Sequence, residues 1–132
     1  MAYVKYKELT KYFNFSKEID KTSLPKYVTD YVDEGEIIYK AYKTLSDRGV
    51  FTNDRMVLFD CNPISKSKKI HIIPYNSIST GAVLFKATSG AILLSFDSGY
   101  QIRLNFIKMD AQAKTELRKL FSYIMNKKGK KD

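Results

Sequence analysis

The 132-residue sequence has no tryptophan, one histidine and one cysteine. Because Cys61 has no second cysteine to pair with, the chain cannot form an internal disulfide, which agrees with a reducing compartment. His71 and Cys61 are too few for a zinc site, which needs three or four ligands. His71 also has no Ser or Cys nucleophile beside it in KIHII, so the sequence offers no pair for acyl transfer.

Other catalytic patterns are absent as well. The glycines are scattered at predicted turns, and none belongs to a phosphate-cradling loop. The closest acidic cluster, Asp30, Asp33 and Glu34, precedes Gly35 and is interpreted as the solvated end of a helix. The sequence therefore predicts no enzyme, no catalytic residues, no metal and no cofactor.

Long hydrophobic runs are also missing. No stretch approaches the 18 apolar residues of a membrane-spanning helix. The N-terminal residues MAYVKYKELTKYF contain no continuous apolar run, so we expect no signal peptide. A cytoplasmic protein is predicted, with peripheral attachment to a membrane as an alternative location.

Positive charge is in excess. The net charge is +9, and its distribution is uneven. Residues 1–35 balance to zero, residues 36–109 carry +5 and residues 110–132 carry +4. A basic surface favours anionic partners, so nucleic acid, acidic lipid and acidic protein are all candidates, whereas no small-molecule substrate is expected.

Two short helices are predicted near the N-terminus. Apolar side chains spaced three to four apart indicate a helix over residues 5–14, and a second is predicted over residues 23–33, where Pro25 fits the first turn and Gly35 the end. The sequence thus divides into a helical extension (residues 1–34), a main domain (residues 35–126) and a basic tail (residues 127–132), which is predicted to be disordered.

From Glu36 onward the apolar period changes to two, which indicates strands. Seven short antiparallel strands joined as hairpins are predicted, with a bulge or bend at Gly81; they are EIIYKAYKTL, VFT, RMVLFDC, KIHII, SISTGAVLFK, AILLSF and YQIRLNFI. At Asp110 the period returns to about 3.6, and Asp110 can cap a terminal helix. The side chains expected in the core are Tyr100, Ile102, Leu104, Phe106, Leu117, Leu120, Phe121 and Ile124.

This order is that of a mainly β, pleckstrin-homology-like (PH-like) partial barrel capped by a C-terminal helix. Three segments strengthen the comparison: Gly35-Glu36, Asp47 to Arg55 (DRGVFTNDR) and Ile73 to Ile78 (IPYNSI). With their order and spacing, residues 33–125 resemble the bacterial PH-like domain family. The resemblance implies a PH-like barrel without catalytic activity and a tendency to self-associate into rings.

The segment SDRGVFTNDR, residues 46–55, is interpreted as two hairpin turns around a short strand, with Asn53 suited to the second turn. Arg55 and Asp47 are expected to pair across the sheet. In eukaryotic PH domains, lysines and arginines flanking the first hairpin turn bind phosphoinositides. Asp47, placed in that turn by this interpretation, departs from the lipid-binding pattern.

Ten basic residues are therefore candidates for anion binding. They fall into three groups, at the first hairpin, at the third loop and in the tail: Lys40, Lys43 and Arg48; Lys66, Lys68 and Lys69; and Lys127, Lys128, Lys130 and Lys131. A run of lysines can equally be a solubilising face, so both interpretations stay open.

The function predicted is a non-enzymatic binding or scaffold module that self-associates and engages a macromolecule. The first hairpin carries apolar side chains on both faces, so either a second chain or the N-terminal segment must cover one of them. Ile38, Tyr42 and Val50 are the candidate contacts between chains. The alternatives are a nucleic-acid binder, a peripheral binder of anionic membranes, and a small viral or accessory inhibitor of a larger protein.

Overall fold

The computed structural model describes residues 10–62 and 64–128, with side chains described over residues 11–62 and 64–126. Its elements in chain order are β1 (Thr10–Phe15), β2 (Lys17–Ile19), α1 (Lys26–Thr29), β3 (Ile38–Lys43), β4 (Asp47–Thr52), β5 (Arg55–Cys61), β6 (Lys68–Pro74), a 3-10 turn (Tyr75–Ser77), β7 (Ile78–Phe85), β8 (Gly90–Phe96), β9 (Gln101–Phe106) and α2 (Ala111–Lys128).

The strands form two antiparallel sheets, one ordered β2-β3-β4-β5-β6 and the other β1-β9-β8-β7. The described chain divides into two compact units. Residues 15–74 form the hairpin unit, and residues 10–14 with 75–128 form the helix unit. In both, alternation of apolar and polar residues places one set of side chains on each face of a strand.

In the hairpin unit, the segment between β2 and β3 covers one face of the five-stranded sheet. Val28 of α1 is fully buried against Ala41, Val50, Val57 and Phe59. Partly buried apolar side chains complete this cluster: Ile19, Leu24, Tyr27, Val32, Ile38, Cys61 and Ile70. We expected either a second chain or the N-terminal segment to cover one apolar face of the first hairpin. On this face, the chain's own segment between β2 and β3 provides the cover.

The other face of this sheet is aromatic. Tyr42 packs between Phe15 and Phe51, with ring centroids 6.1 Å and 6.2 Å away. Gly49 lies beneath Phe15, and a Cβ built on Gly49 would stand 2.7 Å from Phe15 Cζ. Position 49 lies in a strand, where β-branched residues are usually favoured, but the closeness of Phe15 leaves room only for glycine.

In the helix unit, α2 packs on the 3-10 turn, β7 and β8. Asp110 caps α2, since its Oδ1 accepts a hydrogen bond from the Ala113 N–H over 2.8 Å, as predicted. Six of the eight predicted core side chains are buried: Ile102, Leu104, Phe106, Leu117, Leu120 and Ile124. Tyr100 and Phe121 are only half-buried.

The seven predicted strands and the terminal helix are confirmed. The predicted helical N-terminal extension is not confirmed. Residues 10–14 form most of β1, where Phe13 and Phe15 alternate with exposed Tyr12 and Asn14; the rest of that predicted helix lies outside the described residues. The second predicted helix is only the four residues of α1. Since β1 and β2 are strands of the sheets, residue 34 is not a structural boundary.

Two local predictions are also corrected. The irregularity in β7 lies between Ile78 and Thr80, and Gly81 pairs regularly with Leu94. Asp47 is not in the turn after β3 but begins β4, and its side chain is only 6% exposed. The turn itself is residues 44–46, closed by the Thr44 N–H donating to the Asp47 carbonyl over 2.8 Å.

Candidate anion-binding site

Three cations occupy directly opposed positions on three neighbouring strands. Lys17 of β2 faces Lys43 of β3, and Lys43 faces Arg48 of β4. We call these three residues the cationic row. Directly opposed side chains have Cβ atoms about 5 Å apart, and like charges in such pairs destabilise a sheet. Among the ion pairs of the described residues, none involves a member of the row.

An aromatic ring extends the row toward β6. The Lys68 ammonium lies 3.8 Å from the centroid of the Tyr27 ring, and the Arg48 guanidinium lies 5.8 Å from it. Tyr27 is itself held edge-on against Phe59, with centroids 5.7 Å apart. Burial raises the pKa of the Tyr27 hydroxyl, although the charge of Arg48 acts in the opposite direction. Cation–π attraction thus holds two cations beside one ring.

The turn between β3 and β4 lies at the end of the sheet that carries the row. It is fixed by backbone bonds, including the Cys61 N–H donating to the Ser46 carbonyl over 2.9 Å. The Leu45 N–H also donates to the Thr44 hydroxyl. Leu45 at the tip of this turn is 94% exposed.

The loop between β5 and β6 is also ordered by its own hydrogen bonds. Asn62 Oδ1 accepts from the backbone N–H groups of Ile64 and Ser65, over 2.9 Å and 3.1 Å. The Lys66 N–H donates to the Asn62 carbonyl over 2.8 Å, with Lys66 in the left-handed region at φ 61°. Ile64 projects from this loop and is 92% exposed.

These two tips lie at the same end of the five-stranded sheet. Consecutive antiparallel strands reverse direction, so the β3–β4 and β5–β6 connections emerge together. The Ser46–Cys61 backbone bond joins the first turn directly to the strand that leads into the second loop. Leu45 and Ile64 are therefore two exposed aliphatic side chains beside a group of cations.

The structure separates the predicted anion-binding residues. Lys43, Arg48 and Lys68 come together with Lys17, and Lys66 lies in the adjoining loop. Lys40 is elsewhere, since its ammonium pairs with Glu18 over 3.0 Å and its side chain is 11% exposed.

The remaining predicted residues stand apart from this group. Lys69 faces Asp60 across the β5–β6 pair, on the opposite face of the sheet from Arg48. The side chains of the tail residues Lys127, Lys128, Lys130 and Lys131 lie outside the described part of the chain.

The residues predicted to join two chains lie inside the hairpin unit. Val50 belongs to the buried cluster under α1, and Ile38 packs against that cluster. Tyr42 is buried on the other face, between Phe15 and Phe51. Neither Val50 nor Tyr42 offers a surface to a second chain, because intrachain side chains already cover both.

Four residues of this site were not predicted: Lys17, Tyr27, Leu45 and Ile64. Lys17 falls between the two predicted helices and Tyr27 falls in the second, so the prediction placed neither residue beside the strands that carry Lys43 and Arg48. Leu45 and Ile64 carried a signal, since an aliphatic residue at a turn flanked by polar residues departs from the usual turn composition.

The described residues contain no group of three or more His, Cys, Asp or Glu side chains able to hold a metal ion. No helix within residues 10–62 and 64–128 is long and apolar enough to cross a membrane. Within the described part of the chain, this face of the hairpin unit presents a set of cations that form no ion pair with a carboxylate. The cations lie on strands and beside an aromatic ring, and two exposed apolar side chains border them.

The two antiparallel sheets followed by a C-terminal helix define a PH-like fold, and comparison with a family model and with solved structures agrees. The bacterial PH domain family model matches residues 9–127, so the chain belongs to the bacterial PH domain family. The uncharacterized protein YozO of Bacillus subtilis is 29% identical over 94 residues, which cover 68% of this chain and 79% of YozO.

Solved structures show the same fold. A PH domain containing bacterial protein from Exiguobacterium sibiricum superimposes with a TM-score of 0.69 at 18% identity, covering 88% of this chain and 63% of that protein. A DUF1696 family protein with a pleckstrin-homology domain from Shewanella loihica gives a TM-score of 0.67 at 20% identity, covering 88% of this chain and 99% of that one. At these identities the likeness establishes the fold alone.

Proposed function

We propose that this chain is a non-catalytic binding module that engages an anionic macromolecular partner through the cationic row and Lys68. The observation that supports this most strongly is the opposition of Lys17, Lys43 and Arg48 on adjacent strands. Three like charges in register destabilise the free protein, and an anion bound across them would relieve the repulsion.

The geometry suits an extended anionic surface better than one small ion. Neighbouring strands are about 4.8 Å apart, so the row extends over about 10 Å, and β6 with Lys68 lies two strands beyond Arg48. Arg48 supplies a planar fork for two-point hydrogen bonding to phosphate or carboxylate, whereas the lysines act as point charges. Lys68 and Arg48 are held by Tyr27, which reduces the freedom that they lose on binding.

The test compares two double variants with the same loss of charge. Lys43→Gln with Arg48→Gln neutralises the site, and Lys86→Gln with Arg118→Gln neutralises exposed cations of the helix unit. Binding is measured to three anionic probes: vesicles containing phosphatidylglycerol, a single-stranded oligonucleotide and polyglutamate. We expect at least one probe to bind the parent and to lose affinity only with the first variant.

Equal losses in the two variants would assign binding to net charge rather than to this site. No binding to any of the three probes by the parent would contradict the proposal outright. Salt provides a further check, because affinity through these cations should fall as ionic strength rises.

Self-association is a second candidate, favoured by strand β7. This strand is at the edge of the four-stranded sheet and carries Leu84 and Phe85, both substantially exposed. Edge strands pair readily with other chains. Sedimentation velocity across a wide concentration range tests this: an oligomer that Leu84→Lys dissociates would support pairing at β7, and a single species of one chain's mass would exclude it. Repulsion between +9 chains acts against assembly, most strongly at low salt.

A further inference from the structure

We propose that the helix unit binds a small organic carboxylate in a cleft on the outer face of its four-stranded sheet. The outer face is the one turned away from α2, and the cleft has a volume of about 190 Å³. The ligand carries one carboxylate on a ring or a short branched chain, and it is bound reversibly rather than converted. The cleft shares no residue with the cationic row, so this inference goes beyond the proposed function and does not depend on it.

Strand alternation assigns residues of the cleft to the outer face. Cβ atoms built on Gly81 and Gly90 would meet side chains of α2, so both glycines face the helix. Leu84 and Ala91 alternate with them and therefore lie on the other face, directly opposite each other on β7 and β8. Asn105 of β9 lies directly opposite Ala91 on its other side. A row of three side chains with an alanine in the middle thus crosses the sheet.

The alanine in this row explains the cleft. Neighbouring strands are about 4.8 Å apart, so the backbones that carry Leu84 and Asn105 are separated by about 10 Å. Ala91 is buried at the floor between them, and a longer side chain there would occupy the space that the cleft provides. Ile107, which follows β9 and is 43% exposed, adds a second aliphatic wall. The cleft is therefore apolar at its floor and on two sides.

Arg103 is the anchor for the carboxylate. Its Nε donates to Asn105 Oδ1 over 2.7 Å, and Asn105 Nδ2 donates to Asn14 Oδ1 over 3.2 Å. The two amides thus hold the guanidinium through its inner nitrogen, and the fork of its terminal nitrogens fits the two oxygens of a carboxylate. Among the described residues, no aspartate or glutamate forms an ion pair with Arg103 or lines the cleft.

The size and the lining of the cleft indicate the class of ligand. An apolar cavity of about 150 Å³ takes benzene, so the space here suits one six-membered ring or a short branched chain. The aliphatic walls favour a ligand with an apolar body, because a bare inorganic anion would leave them in water. A single guanidinium at one side favours a carboxylate over a neutral or cationic head group.

The first experiment titrates the full chain with benzoate and follows backbone N–H signals by nuclear magnetic resonance. We expect saturable binding with a dissociation constant on the order of 0.1–1 mM, the range open to a ligand of roughly nine heavy atoms. The shifts should be largest in β8 and β9, at Ala91, Arg103 and Asn105. Benzyl alcohol, which keeps the ring without the charge, and acetate, which keeps the charge without the ring, should each bind roughly tenfold more weakly or less well still.

Variants with matched controls test the anchor. Arg103→Gln should weaken benzoate binding by roughly tenfold or more, the scale of a hydrogen bond to a charged group. Asn105→Asp places a carboxylate of the same size beside Arg103, so it should compete with the ligand and also weaken binding by roughly tenfold or more. Arg118→Gln loses the same charge from an exposed position on α2 and should change the affinity by less than about twofold.

A third variant tests the apolar wall without altering the anchor. Ile107→Ser shortens an exposed side chain, so the fold should be retained, and benzoate binding should weaken about three- to fivefold while acetate binding stays the same. Ile37→Ser, the same change in the hairpin unit at a side chain that is 65% exposed, should leave both affinities unchanged. Thermal unfolding of each variant identifies any loss of affinity that follows from a loss of structure.

Each result decides for or against the proposal. Absence of saturable benzoate binding by the parent up to about 10 mM would contradict it. Equal losses in Arg103→Gln and Arg118→Gln would assign the attraction to net charge, and equal affinity for benzyl alcohol would overturn the role of the carboxylate. An N-acetylated dipeptide ending in phenylalanine should bind no better than benzoate. Affinity more than about tenfold higher would overturn the free small acid in favour of a chain terminus.

Discussion

Glu36 and Arg55 form a two-point ion pair, with Arg55 Nε donating to Glu36 Oε2 over 3.0 Å and Nη2 donating to Oε1 over 3.1 Å. The Glu36 side chain is only 2% exposed. It also accepts from the Thr52 hydroxyl and from the Asp33 N–H. The pair joins the segment before β3 to the β4–β5 turn, and it replaces the predicted pairing of Arg55 with Asp47, which is wrong.

Glu36→Gln should destabilise the protein. The amide keeps the size of the side chain but gives up the charge and places an N–H₂ group where Arg55 also presents donors. We expect the free energy of unfolding to fall by about 2 kcal/mol, the scale of a hydrogen bond to a charged group. Urea denaturation at pH 7 measures it. Glu34→Gln, the same change at an exposed position, should leave the midpoint nearly unchanged, and equal effects would contradict a special role for Glu36.

The same carboxylate predicts a pH dependence. Burial alone would raise the pKa of Glu36, but hydrogen bonds from Arg55, Thr52 and the Asp33 N–H outweigh it, so the pKa lies below the ordinary 4.5. A group whose pKa is lowered by folding contributes stability above its unfolded pKa and loses that contribution as pH falls through the folded pKa. The stability difference between the parent and Glu36→Gln should therefore be constant from pH 7 to about 5 and shrink below about 4. A difference that grows on acidification would contradict this sign.

Alanine substitution should distinguish two glycines. A Cβ at Gly49 would stand 2.7 Å from Phe15, a fully buried ring that cannot move aside. A Cβ at Gly81 would stand 2.7 Å from the sulfur of Met125, a flexible side chain that is only half-buried. We expect Gly49→Ala to cost about 1–3 kcal/mol and Gly81→Ala clearly less. Thermal unfolding of both variants measures which substitution lowers stability more. A larger loss for Gly81→Ala than for Gly49→Ala would contradict the prediction.

Tyr27 should contribute to binding by placing Arg48 and Lys68. Tyr27→Phe keeps the ring and should bind the same anionic probe as the parent, with the same affinity. Tyr27→Leu keeps much of the apolar volume but removes the π face, so affinity should fall about two- to fivefold, as expected for an exposed cation–π contact. Loss of binding in Tyr27→Phe would indicate instead that the hydroxyl is required.

Much of the fold could be predicted because seven strands carry a period of two, as in Ile102, Leu104 and Phe106. The N-terminal strand could not be predicted in the same way. Tyr12 and Phe13 fit a helical spacing, whereas the alternation of Phe13 with Phe15 is too short to outweigh it. These residues form strands because β1 and β2 pair with strands that are distant in the sequence. Such tertiary pairing cannot be predicted from the local pattern of apolar residues.

The site was harder to predict than the fold. Lys17, Lys43 and Lys68 are far apart in the sequence and meet only through strand register, which depends on where each turn begins. Placing the first turn at residues 46–49 rather than 44–46 put Asp47 at the tip and hid Leu45. A shift of a few residues in one turn thus reversed the apparent charge of the surface.

The cover over the five-stranded sheet has a consequence for how the chain is made. A ribosome releases residues from the N-terminus first, so Leu24, Tyr27 and Val28 emerge before the strands whose apolar face they cover. When Ala41, Val50 and Val57 follow, their cover is already available in the same nascent chain. A version started at Gly35 would lack this cover, and it would release a sheet whose apolar face could be closed only by another chain.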